Sequence, residues 1–195
     1  MNAVDKELRA RNLRLLGVLA GLFLLPLALA FWVYYGTEWR PVGTVNHGEL
    51  IRPVRPLPQL GLQAAVAGET LPADLFHHKW TLVYIGDGQC DDACRNALYV
   101  MRQTRLSLNN EMTRVERVFL ATSNCCAREF LAYEHPGLRV FAAPADVSPF
   151  PADARAQSLF IVDPLGNLMM RFDVRQNPKG LLEDLKRLLK YSQIG

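Results

Sequence analysis

Hydrophobic positions recur along this chain with three different rhythms, and each predicts a different element. Between Leu15 and Tyr35 they are almost continuous, broken only by Gly17, Gly21 and Pro26. A helix of that length would span roughly 31 Å, the thickness of a bilayer's hydrocarbon core. Further along, the apolar residues come in short β-rich runs. Trp80–Ile85 predicts a buried central strand, broken by Gly86-Asp87-Gly88. Val115–Ala121, Leu138–Ala142, Ser158–Val162 and Leu168–Phe172 predict four more strands, the last two joined by the turn-forming stretch Asp163-Pro164-Leu165-Gly166-Asn167. The third rhythm is helical. Ala93, Ala97, Leu98, Met101 and Leu108 share one face of a helix from Asp91 to about Leu108. A short helix runs from Ala127 to His135 and stops at Pro136-Gly137. A final helix starts near Asn177, with Pro178 at its first position and Leu181, Leu182, Leu185, Leu188 and Leu189 on one face. The order β-α-β-α-β-β-α predicts an α/β three-layer sandwich with helices on both faces of a sheet.

Charge adds direction to the apolar run. Lys6, Arg9, Arg11 and Arg14 precede it, only Arg40 closely follows it, and Trp32, Tyr34, Tyr35 and Trp39 crowd its C-terminal end. Basic flanks stay in the cytoplasm and aromatic rings favour the interface, so residues 1–14 read as a cytoplasmic tail and 15–35 as a transmembrane helix. Ala28-Leu29-Ala30 resembles a cleavage site for a signal peptide. The apolar run continues beyond it, however, which predicts a retained anchor in an inner membrane with the rest of the chain periplasmic. Residues 36–58 carry Pro41, Pro53, Pro56 and Pro58 and read as a semi-rigid tether, leaving 59–195 as the folded domain. The whole chain carries a net charge of +3, most of it in the tail, and residues 36–195 net only +1. That gives no electrostatic reason to expect a nucleic-acid partner.

The chemistry centres on Cys90 and Cys94. In an exported domain of this size, the four cysteines are too few for a framework of structural disulfides. Cys90 and Cys94 fall where the first strand hands over to the first helix, spaced i and i+4, so both thiols can converge on one small site. Free amides at the helix start favour a thiolate, whereas Asp87, Asp91 and Asp92 oppose it. A bound cation would reverse that penalty, and soft thiolates suit cuprous copper, although zinc also takes sulfur ligands. The alternative is a structural disulfide or an inert buried pair.

Taken together, Trp80–Ile85, Gly88-x-Cys90-x-x-x-Cys94 opening a helix, and Phe160-Ile161-Val162-Asp163-Pro164-x-Gly166 on a late strand resemble the Sco/SenC branch of the thioredoxin-like superfamily. The resemblance covers about residues 60–190 and the placement of the anchor. It implies a thioredoxin-like sandwich in a membrane-anchored protein that assists cytochrome c oxidase assembly. Such proteins carry copper to the oxidase's binuclear copper site or reduce its cysteines to thiols. It further implies that Cys90 and Cys94 are redox thiols and paired ligands for Cu(I), with an oxidase subunit or another assembly factor as partner. Two family features differ. Arg155 stands where the family's third copper ligand, a histidine, is expected, and no histidine follows His135. Asp91 and Arg95 replace prolines beside the cysteines. The proline that thioredoxin-type exchangers place before the late strand is also missing, since Ala156-Gln157 precedes Ser158.

Cys125-Cys126 follows the second strand and is expected at the same sheet end as Cys90, as auxiliary ligands, resolving thiols or free buried thiols. His77-His78 precedes the first strand at the opposite end and reads as a solvated loop, while His47 falls in the tether and His135 at a helix end. No GxSxG, HExxH or phosphate-loop pattern occurs, which leaves hydrolase and nucleotide chemistry without support. Three function classes remain: an oxidase assembly factor, a general thiol–disulfide reductase for exported proteins, and a non-catalytic interaction module.

Overall fold

The computed structural model describes residues 3–37, 45–58, 60–65, 71–72, 74–151 and 158–194, with side chains from Leu8 onward. Trp39, Arg40, Pro41 and Arg155 to Gln157 lie outside the described residues, as do the side chains of Asp5, Lys6 and Glu7. Two compact units make up the chain, residues 1–45 and residues 46–195.

The first unit is built on helix α1, Ala3–Gly36. It starts earlier than the apolar run alone suggests, because the basic residues that precede the run are good helix formers. Its Leu8–Gly36 portion is long and apolar enough to cross a membrane, with a mean hydropathy of 2.4 and none of it buried against protein. Near its C-terminal end Phe31 stacks on Tyr35, one turn apart.

The second unit is one seven-stranded mixed sheet in the order β1-β7-β6-β3-β4-β5-β2. The strands are β1 (Glu49–Pro56), β2 (Gln63–Ala64), β3 (Trp80–Asp87), β4 (Val115–Ser123), β5 (Arg139–Ala142), β6 (Ser158–Val162) and β7 (Asn167–Asp173). β3, β4 and β5 run parallel, and β6 and β7 return antiparallel on the other side of β3. Helices α2 (Asp92–Leu106), α3 (Arg128–Glu134) and α4 (Pro178–Tyr191) follow β3, β4 and β7, and a 3-10 turn, Asn109–Arg114, leads into β4. Because β3 and β4 are parallel, the turns after them emerge at one rim of the sheet; Cys90, Cys125 and Cys126 lie in those turns and Cys94 in the first turn of α2.

Strand alternation divides the core cleanly. Leu82 and Tyr84 of β3, Val115 and Phe119 of β4 and Leu159 and Ile161 of β6 face Ala97, Leu98 and Met101 of α2 and Leu181, Leu185 and Leu189 of α4, with Leu131 of α3 joining them. Val83, Ile85, Val118, Leu120, Phe160 and Val162 face the other way. Helices were expected on that side too, but among the described residues its core is closed by loop side chains: Leu62, Leu75, Phe76, Val147 and Phe150.

The tether expected over 36–58 is shorter than its prolines imply. Glu49–Pro56 forms edge strand β1 on β7, with an irregularity between Leu50 and Arg55 that accommodates Pro53. An edge strand needs amides on one side only, so it tolerates proline. His47 does not sit in a spacer either. Its backbone N–H and that of Gly48 donate to the buried Asp184 carboxylate of α4, and its ring lies 3.1 Å from the same group.

Candidate functional site

β3 delivers the chain to the rim at Asp87, and the next seven residues build the site. Cys90 adopts a left-handed backbone (φ +57°), a conformation that non-glycine residues seldom hold without support. Support comes from its own N–H, which donates to the Asp87 carbonyl at 3.1 Å. Asp91 then caps α2, its side chain accepting from the Cys94 N–H at 2.9 Å. The resulting turn brings the two Cα atoms to 5.0 Å, and Cys90 and Cys94 are joined as a disulfide. The pair is packed away: Cys90 is 2% and Cys94 1% exposed, within the cluster that holds Tyr84, Ala97, Leu98 and Phe119. Burial, reinforced by the Asp91 charge, pushes the Tyr84 phenol well above its ordinary range, so it stays protonated.

The turn after β4 is fastened to this one at several points. The Asp87 carboxylate accepts from the Gln89 N–H at 2.8 Å, the Ser123 hydroxyl at 2.7 Å and the Asn124 side-chain amide at 2.7 Å. Those bonds hold its carboxyl below the usual aspartate range. Gly88 donates to the Ser123 carbonyl and accepts from the Ala127 N–H, both at 2.8 Å. Backbone approaches backbone so closely that a Cβ on Gly88 would lie 2.6 Å from the Cys125 Cα. Asn124 (φ +43°) takes the second left-handed conformation at this rim.

Cys125 and Cys126 are therefore neighbours of the first pair. They were expected as auxiliary ligands, resolving thiols or free buried thiols, and free they are not. The two are bonded to each other, with Cys125 exposed and Cys126 half-buried against the cluster that contains Cys90 and Cys94. A groove of about 450 Å³ opens beside Cys126 and runs along α3 past Leu131 to His135 and Val140. From α2, the Arg95 guanidinium lies 4.1 Å over the Phe130 ring of α3 and ties the two helices that follow the cysteine turns.

The histidines lie elsewhere. His77 pairs with Leu165 of the β6–β7 hairpin, at the opposite rim from Cys90, and His78 beside it is exposed. His135 is buried at the end of α3. Among the described residues no three histidine, cysteine, aspartate or glutamate side chains gather as a metal site. The pattern-based reading missed two things. One is Asp87, counted there only as an obstacle to a thiolate, which is the fastener between the two turns. The other is Arg117, buried beside His135, although its place in phase with Val115 and Phe119 on β4 marks it as inward-facing.

A parallel β3–β4 pair with antiparallel β6 and β7, and a cysteine pair at the end of the central strand opening a helix, define a thioredoxin-like protein. Over residues 80–192 the chain matches the family described as transmembrane-like, thioredoxin-like, C-terminal domain, and with more than half its length matched it belongs to that family. No curated protein matches it. Among solved structures, its fold is similar to apo Sco1 from Thermus thermophilus (TM-score 0.54, 16% identity, covering 76% of this chain and 99% of that one). It is also similar to copper-bound yeast Sco1 (TM-score 0.55, 15% identity, 77% and 96% covered). A third likeness is to BsSco, described as a member of the Sco family of cytochrome c oxidase assembly proteins in which a disulfide switch was identified (TM-score 0.53, 13% identity, 74% and 99% covered). At these identities the likeness is one of fold, and that fold is Sco-like.

Proposed function

We propose that this protein is a membrane-tethered assembly factor for cytochrome c oxidase that uses Cys90 and Cys94 as a redox pair to reduce the disulfide of oxidised cysteines at the oxidase copper site. The observation that carries this reading is the Cys90–Cys94 disulfide at the β3–α2 junction, where the first turn of α2 favours a thiolate once the bond opens. The Sco-like fold supplies the assembly role, and α1 supplies the tether. In this reading residues 1–14 are cytoplasmic, 15–35 span the inner membrane, and the thioredoxin-like domain works in the periplasm on an oxidase subunit or another assembly factor.

Copper fits this donor set less well than electrons do. As a disulfide the pair offers no thiolate, and when reduced it offers two sulfurs with no third ligand beside them among the described residues. Copper would be cargo, held by Cys90 and Cys94 alone.

The test uses the full-length chain in detergent, reduced under anaerobic conditions. It is offered a peptide carrying the oxidised copper-site cysteines of the oxidase subunit, and separately cuprous ion against a competing chelator. The expected result is stoichiometric reduction of the peptide disulfide, with one equivalent lost in Cys90→Ser/Cys94→Ser. Tight binding of one copper, lost in the same variant, would move the assignment to copper delivery. Equal reduction of unrelated exported disulfides would make the protein a general reductase. If neither electrons nor copper pass, the domain is an interaction module.

A further inference from the structure

We infer that Cys125–Cys126 is a second redox centre, the port through which electrons from an external dithiol protein reach the buried Cys90–Cys94 disulfide. The inference rests on Cys90–Cys94 being the redox pair, and adds the route by which that pair is reached. The problem it answers is steric. With Cys90 2% and Cys94 1% exposed, neither sulfur can be approached in line by a thiol on another protein. Cys125 is exposed, and Cys126 both lines the groove and packs against the core cluster to which Cys90 and Cys94 belong. The two turns are held in register by the Gly88–Ser123 and Ala127–Gly88 backbone bonds and by the Asp87 carboxylate, with Gly88 against the Cys125 backbone two residues before Cys90.

The exchange proceeds in four substitutions at sulfur. A thiolate of the external dithiol attacks Sγ of Cys125, breaking the Cys125–Cys126 bond and releasing the Cys126 thiolate. The second thiol of the reductant attacks its partner sulfur in that mixed disulfide and leaves as the oxidised reductant, with a thiol at Cys125. The Cys126 thiolate then attacks Sγ of Cys90 and expels the Cys94 thiolate, whose charge the first turn of α2 favours. Finally Cys125 attacks Sγ of Cys126, restoring the Cys125–Cys126 bond and freeing Cys90. Two electrons pass to Cys90 and Cys94, and the two protons given up by the reductant are taken up there. Run in reverse, the same steps return the electrons to an external disulfide.

The experiment follows reduction of the full-length protein in detergent, with dithiothreitol and with reduced thioredoxin, by timed alkylation and mass spectrometry of each cysteine. In Cys125→Ser/Cys126→Ser, reduction of Cys90–Cys94 by thioredoxin is expected to slow by about tenfold or more, while its equilibrium with the glutathione couple is unchanged. An unchanged rate in that variant overturns the port and leaves the Cys90–Cys94 assignment intact. A wild-type pair that never equilibrates with any dithiol in the native state overturns that assignment instead. Cys94→Ser/Cys125→Ser tests the geometry independently of rate. On mild oxidation Cys90 and Cys126, the two sulfurs left, are expected to join, and failure to do so in a folded variant also overturns the port.

Discussion

Under α2, a neutral histidine and an uncompensated arginine share one small volume. Arg117 is 4% exposed; its Nη2 donates to the Pro136 carbonyl at 2.6 Å, while its Nε and Nη1 have no hydrogen-bond partner. Burial, with Arg105 and Arg102 nearby, pushes its guanidinium down to about 10. His135, also 4% exposed, has a buried Nδ1 without a partner and packs edge-on to Phe130. Burial first, then the charges of Arg117 and Arg102, lower its proton affinity, opposed only by Glu134. A lowered value means that the unfolded chain takes up a proton before the native one does. Its contribution to stability is therefore complete above the ordinary histidine value of 6.5 and lost as pH falls below it. Urea unfolding at about pH 7.5 and about pH 5.5 should show that loss, and His135→Gln should flatten it. An equal pH dependence in the two proteins would mean that His135 is not the group responsible.

At the scale of elements, α2 matters most because it carries half the redox pair. Its side-chain cap is one hydrogen bond, which Asp91 accepts from the Cys94 N–H, so Asp91→Ala is expected to cost about 1 kcal/mol of stability by urea titration. Asp91→Asn should recover most of that, since an amide oxygen still accepts. Legibility in the sequence follows the same physics. β3, β4 and β6 could be read because strands buried on both faces carry continuous apolar stretches, here Leu82–Ile85, Val118–Ala121 and Leu159–Val162. α4 could be read from Pro178 and its leucines, and Asn177 does cap it, accepting from the Gly180 N–H at 2.8 Å. β1 was obscured because its prolines argue against a strand until its edge position is known, and β2 because two residues hold no period. The location of Cys90 and Cys94 could be read from their junction. Their depth could not, because the core cluster they join draws on α2, β4 and α3, which only the fold brings together.

For the molecule as a whole, the assignment requires the domain and the N-terminus on opposite sides of one membrane. Alkaline phosphatase, active only after export, should be active when fused after residue 195 and inactive when fused before residue 1. Reversal of the first result would place the cysteines in a reducing compartment and remove the basis for the proposed partner. The parallel run of β3 beside β4 has a practical corollary. It gives the domain a sulfur-bearing front and, across the length of the sheet, a back made of the β6–β7 hairpin, where Leu165 stands 62% exposed. A surface linker or a dye placed at that hairpin would hold or report on the domain from behind. The rim that carries the exposed Cys125 would then stay unshielded toward whatever protein comes to exchange electrons there.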